Sequence, residues 1–224
     1  KKCREEVGND FAISIKMNSA DFQKGGFSPE DSIQVAKLFS DAGIDNIEIS
    51  GGTYEQPRLL GLDKVSINPK RSENRKESTI AREAYFLSYA EEIAKVVNIP
   101  LMVTGGFRTK EGMEAALRDG ACEIVGVGRP LCANPYAIKE LLSGQIDELP
   151  KYEKTLSIGP WWLSPTSPFR LIQAINAFSA QAWFYQQIKK MGKGLMPDLN
   201  LKPWKAFRED AKADQEAIKE YQNF

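Results

Sequence analysis

The sequence predicts an α/β fold on a parallel sheet, followed by a helical extension rich in aromatic residues. Three observations lead there. Short β-branched runs alternate with stretches whose apolar residues recur at helical spacing. The strand runs end at glycines. A βα unit also occurs twice, with Gly43 standing as far before Gly51 as Gly120 stands before Gly128. Strands that alternate with helices connect by right-handed crossovers, and a parallel sheet results.

The first strand lies in "FAISIKM", where apolar and polar residues alternate from Phe11 to Met17 before a polar loop through Gly25 and Gly26. Ser28 is placed to cap the next helix, Pro29 fits its first position, and Val35, Leu38, Phe39 and Ala42 define its apolar face up to Gly43. The second strand is "NIEIS", Asn46 to Ser50. A polar stretch, Thr53 to Ser78, carries Arg58, Lys64, Lys70, Arg71, Arg75 and Lys76 and reads as a solvated surface loop. A helix with Phe86, Ala90, Ala94 and Val97 on one face leads into the third strand, Leu101 to Thr104. Gly105 and Gly106 close that strand, Thr109 caps a helix with Met113, Ala116 and Leu117 inward, and "EIVGV" is the fourth strand. Asn134 and Pro135 open a fourth helix with Ile138, Leu141 and Leu142 inward. Residues 1–143 thus form one βα domain and 144–224 a helical extension, with a helix from about Phe169 to Met191 and a charged amphipathic tail from Lys202. Trp161, Trp162, Trp183 and Phe184 in the extension read as packing residues rather than a membrane contact, because Gln, Asn and Arg recur among them.

Composition narrows the function. The 224 residues, 42% apolar, suffice for one core. Thirty basic residues balance thirty acidic ones, which gives no electrostatic case for nucleic acid or a membrane surface and favours a small neutral or anionic ligand. Three cysteines without disulfide or zinc spacing read as reduced packing residues in the cytoplasm. The chain contains no histidine, so it offers no imidazole as acid, base or metal ligand. Its start at "KKCREEVG", without methionine, leads us to expect that an upstream segment has been removed.

Ligands of parallel α/β sheets bind beyond the carboxyl ends of the strands. Lys16, Gly105 with Gly106, and Gly128 with Arg129 fall there. Glycines let an anion approach the backbone amides. A helix opening at Thr109 adds partial positive charge, and Arg129 brings a forked, charge-assisted donor pair suited to phosphate. The expectation is a phosphate cradle after the last two strands.

These residues lie in "FAISIKMNSADFQKGGFSPEDSIQVAKLFSDAGIDNIEISGG", "ESTIAREAYFLSYAEEIAK" and "IPLMVTGGFRTKEGMEAALRDGACEIVGVGRPLCANP". Those stretches resemble the carboxyl half of the old yellow enzyme family, the NADH:flavin oxidoreductases, and the aromatic extension is similar to that of fungal members. The resemblance implies a TIM (βα)8 barrel with FMN at its mouth, this chain providing strands five to eight. By position, Lys16 matches a basic residue, commonly arginine, at the pyrimidine edge of the flavin. Gly105 and Gly106 match backbone donors to the FMN phosphate, and Gly128 and Arg129 match its Gly-Arg clamp. The implied activity is ene reduction, hydride passing from NAD(P)H through flavin to an activated alkene or related acceptor. The family's substrate-anchoring histidine pair and tyrosine acid have no counterpart among the matched residues, so no catalytic residue is assigned to this chain, and no metal ligand.

A whole barrel takes about 250 residues. The expectation is therefore a fragment of a longer enzyme, the alternatives being a separate amino-terminal half-barrel or pairing of two copies. Two other functions compete with the oxidoreductase: an FMN- or phosphate-binding half-barrel without chemistry, and a phosphosugar-type barrel enzyme. The latter needs acid and base residues at strand ends. Glu48 and Glu123 are the only carboxylates on the strands, and they read as ion-pair partners instead.

Overall fold

The structure, a computed structural model, describes residues 1–21, 25–51 and 86–222. The polar stretch from Thr53 to Ser78 lies outside the described residues. Strands β1 (Ser14–Asn18), β2 (Asn46–Ser50), β3 (Leu101–Thr104) and β4 (Ile124–Gly126) lie side by side in chain order, every pair parallel. Sequential order without a reversal is the arrangement of consecutive staves in a (βα)8 barrel, and it differs from a doubly wound sheet, whose order switches direction. The described chain is thus an α/β partial barrel with helices beyond it.

Two compact units are present. The first holds the sheet with helices α1 (Lys2–Val7), α2 (Pro29–Asp41), α3 (Leu87–Ala94) and α4 (Lys110–Arg118), together with Gly144–Glu148. Its core places Met17, Ile47, Ile49, Leu101 and Val103 from the strands against Ala36, Ala90, Ile93 and Ala116 from the helices. Capping fixes where the helices begin. Ser28 Oγ accepts from the Asp31 amide at 3.1 Å while Asp31 accepts from the Ser28 amide at 3.0 Å, a reciprocal box with Pro29 just inside it. Those hydrogen bonds hold the Asp31 carboxyl below its ordinary value. Thr109 Oγ1 caps α4 through the Gly112 amide at 3.1 Å. The helices end at Gly43 (φ 82°) and Gly120 (φ 70°), the left-handed conformation that favours glycine.

The buried helix faces differ from the sequence reading. Leu38, Leu117 and Leu142 are exposed, while Ser32, Ala36 and Ala137 are buried; Ala116 is buried as the sequence indicates. Small residues let a helix approach its neighbours closely, and large ones flank that contact.

The second unit holds Arg129–Ser143 and residues from 149 onward. Arg129–Ser143, which the sequence reading joins to the barrel, groups with the carboxyl-terminal helices: α5 (Arg129–Ala133) packs on α7 (Arg170–Met191) and on a 3-10 turn at Tyr152–Lys154. Helix α6 (Ala137–Leu142) buries Ala137 and Leu141. Helix α8 (Pro203–Gln222) packs along α7. Ala133, Leu156, Ala182, Trp183 and Ala206 form this unit's core. Trp183 is 1% exposed, meets Phe184 edge to face at 5.2 Å, and donates from Nε1 to the Leu201 carbonyl at 2.9 Å. Trp161 and Trp162, by contrast, are exposed. No helix among the described residues is long and apolar enough to cross a membrane.

Candidate functional site

Residues opposite one another in a parallel ladder point to the same side of the sheet. The row Met17, Ile49, Val103 and Val125 faces the helices. The adjacent row, Lys16, Glu48, Met102 and Ile124, faces the other way. Toward the carboxyl ends of the strands, Asn18 stands opposite Ser50 and Thr104 opposite Gly126 on that same helix-free face.

Lys16 is the middle residue of β1, two short of the strand's last residue, so it lies lower on the face than a strand-end position would put it. Its Nζ donates to Glu48 Oε1 at 2.6 Å. The Lys16 side chain is 56% exposed and that of Glu48 20%. Desolvation pushes the Glu48 carboxyl up, but the hydrogen bond and positive charge of Lys16, with the Thr104 hydroxyl nearby, outweigh it and leave the carboxyl below its ordinary value.

At the carboxyl end of β3 the chain turns through Gly105 (φ 129°) and Gly106 (φ 90°), two consecutive residues in conformations that a side chain disfavours. Phe107, 2% exposed, anchors the turn in the core. Arg108 follows, 5% exposed, its Nη1 donating to the Phe107 carbonyl at 2.7 Å. Sequence reasoning missed this buried arginine, because a charged residue between a Gly-Gly turn and a helix cap reads as surface. Helix α4 starts two residues later.

The two glycines of β4 and its end differ. A Cβ on Gly126 would collide with Thr104 Oγ1 and lie 2.8 Å from Thr104 Cβ and Met102 Cε, so this glycine serves packing. A Cβ on Gly128 would meet nothing within 4 Å among the described residues, so this glycine is not required by packing there.

Arg129 is the first residue of α5, within the second unit. Its side chain is 27% exposed, and Nη1 lies 3.8 Å from Glu153 Oε1. This ion pair was not foreseen, since the two residues are distant in sequence. Glu123 Oε2 accepts from the Leu101 amide at 2.7 Å, at the starting end of β3. With Glu48 paired to Lys16 and Glu123 accepting from the backbone, both strand carboxylates are already engaged, which counts against the acid and base that the phosphosugar reading needs.

No family model matches the chain. NADH-dependent flavin oxidoreductase iliE of Hypocrea jecorina is 40% identical over 144 residues, covering 62% of this chain and 33% of that protein. NADH-dependent flavin oxidoreductase iccE of Talaromyces variabilis is 30% identical over 197 residues, 86% of this chain and 45% of the relative. The NADH oxidase of Thermoanaerobacter brockii is 31% identical over 191 residues, 85% of this chain and 27% of the relative. The chain spans less than half the length of these curated relatives. Among solved structures, a 2-naphthoyl-CoA reductase complexed with 2-naphthoyl-CoA superposes with a TM-score of 0.51 at 25% identity, over 65% of this chain and 20% of that one. The chain belongs to the old yellow enzyme-like family of NADH-dependent flavin oxidoreductases and corresponds to its carboxyl-terminal half.

Proposed function

We propose that this chain is the FMN-binding half of an NAD(P)H oxidoreductase of the ene-reductase type, acting on an activated alkene or related small acceptor. A (βα)8 barrel completed by an amino-terminal half belongs to this reading, as does a cytoplasmic location, in keeping with the free thiols of Cys3, Cys122 and Cys132. The observation that carries it is the pair of positive-φ glycines, Gly105 and Gly106, closing β3 just ahead of a capped helix. Successive amides freed of Cβ atoms make an anion-binding concavity, and Gly128, which no described residue crowds, leaves room for a phosphate. The donor set fits FMN.

In this reading the amides of Gly105 and Gly106 bind phosphate oxygens, and Gly128 admits them. Arg129, next in the chain, adds charge-assisted hydrogen bonds; its five N–H donors allow it to keep Glu153 as well. Lys16 presents positive charge on the helix-free face, where it opposes negative charge developing at the flavin's pyrimidine edge. A lysine keeps the charge of arginine without its planar fork. Bound FMN supplies the hydride relay between NAD(P)H and acceptor. This chain contributes no imidazole to that chemistry.

The test is flavin retention and bleaching. The purified protein should hold FMN and lose its yellow absorbance on addition of NADH or NADPH. Arg129→Ala should weaken FMN binding by about 2–3 kcal/mol; unchanged retention contradicts the assignment. The lack of histidine favours one second reading, an FMN-binding unit with no redox activity of its own. A yellow protein that neither cofactor bleaches identifies that case.

A further inference from the structure

The helix-free face contains a charged pair that packing does not require. Lys16, Glu48, Met102 and Ile124 form one transverse row, and its second half shows that apolar side chains suit this level of the sheet. An ion pair with one partner 56% exposed stabilises a fold by about 0–1 kcal/mol, so stability gives little reason for its presence.

Its geometry points elsewhere. The parallel register sets Lys16 and Glu48 directly opposite each other, on strands about 4.8 Å apart. Glu48 is the more buried partner and has the shorter side chain, with fewer rotatable bonds between backbone and charge. Lys16 is the long and mobile partner. The carboxylate is thus the fixed member, and it decides where the ammonium rests.

We infer that Glu48 is a positioning residue for Lys16: it bends the ammonium toward β2 and offsets part of its charge, so that a bound flavin meets a fixed and attenuated cation. The inference rests on the reading that places the flavin's pyrimidine edge over Lys16. Negative charge on reduced flavin is stabilised less by a neutralised lysine than by a free one, so Glu48 keeps the bound cofactor more strongly reducing. Glu48 therefore acts through Lys16 and need not touch the flavin.

The experiment compares wild type, Glu48→Gln, Lys16→Met and the double variant, with FMN as the probe. Dissociation constants for oxidised and reduced FMN, from fluorescence and anaerobic titration, give each protein's preference for the reduced form. Glu48→Gln should raise that preference threefold to tenfold, a tenfold change being about 30 mV for a two-electron couple. In the Lys16→Met background the same substitution should change it less than twofold. A second measurement needs no flavin: acylation of the Lys16 amine, followed by peptide mass spectrometry, should be at least threefold faster in Glu48→Gln, because the carboxylate no longer pairs with the amine and holds it against β2. An unchanged acylation rate overturns the pairing. An unmoved preference in Glu48→Gln, or an equal shift with and without Lys16, overturns the tuning role while leaving the flavin reading intact. A wild-type protein that binds no FMN overturns that reading, and the inference falls with it.

Discussion

The two faces of the sheet divide the work of the first unit. Toward the helices, Ile47, Ile49, Leu101 and Val103 are each no more than 1% exposed and pack against small helix residues. The opposite face carries Lys16 with Glu48, Asn18, Ser50 and Thr104, none of which is fully buried. One face follows from the demand for a dry core. The other mixes Met102 and Ile124 with these polar and charged side chains, and a packed interior alone does not call for the polar ones, so they report on what the sheet is for. Substitutions at packed positions should therefore change stability first, and those at open positions on the far side should change binding first.

Four substitutions can break that division. Ile49→Ala, on the helix side, should cost about 2–5 kcal/mol by leaving a cavity; a loss under 1 kcal/mol in urea unfolding would mean the core is not closed there. Gly126→Ala should cost about 1–3 kcal/mol through overpacking against Thr104. Its neighbour two residues on, Gly128→Ala, should change stability by no more than about 0.5 kcal/mol while weakening FMN binding. Equal stability losses at the two glycines would remove the distinction between packing and ligand space. Lys16→Met should alter stability by less than about 1 kcal/mol and slow flavin reduction in stopped flow; unaltered reduction leaves Lys16 as a surface residue.

The smallest effect is in pH. Glu48 has its carboxyl below the ordinary value in the folded chain, so its pairing stabilises above about pH 4 and is lost as pH falls through the lower folded value. The stability gap between wild type and Glu48→Gln should therefore close on acidification from pH 7 to pH 3. A gap that widens contradicts the sign.

Much of the scaffold was legible because its signals are local. The runs at Asn46–Ser50 and Leu101–Thr104 and the caps at Ser28 and Thr109 stand where the residues indicate. Helix faces were less legible. Reading by hydrophobicity selects Leu38, Leu117 and Leu142, whereas close packing selects Ser32, Ala36 and Ala137. The internal repeat holds for the helix ends at Gly43 and Gly120 but not for the strands. Glu48 and Val125 stand equally far past those glycines, yet Glu48 lies on the helix-free face and Val125 packs on the core. A shift of one residue reverses facing, and no local signal marks it. The same limit hid both ion pairs of the candidate site, Lys16 with Glu48 and Arg129 with Glu153, because register and helix docking bring together residues far apart in sequence.

The glycine-lined end of β3 is proposed to receive a phosphate. Comparing the affinities of the protein for FMN and for riboflavin, which lacks only that phosphate, tests it most directly. FMN should bind at least about a hundredfold more tightly, as expected for two charge-assisted hydrogen bonds of about 1.5 kcal/mol each, and Arg129→Ala should remove at least about thirtyfold of that difference, the equivalent of about 2 kcal/mol. Equal affinity for the two flavins would contradict the account.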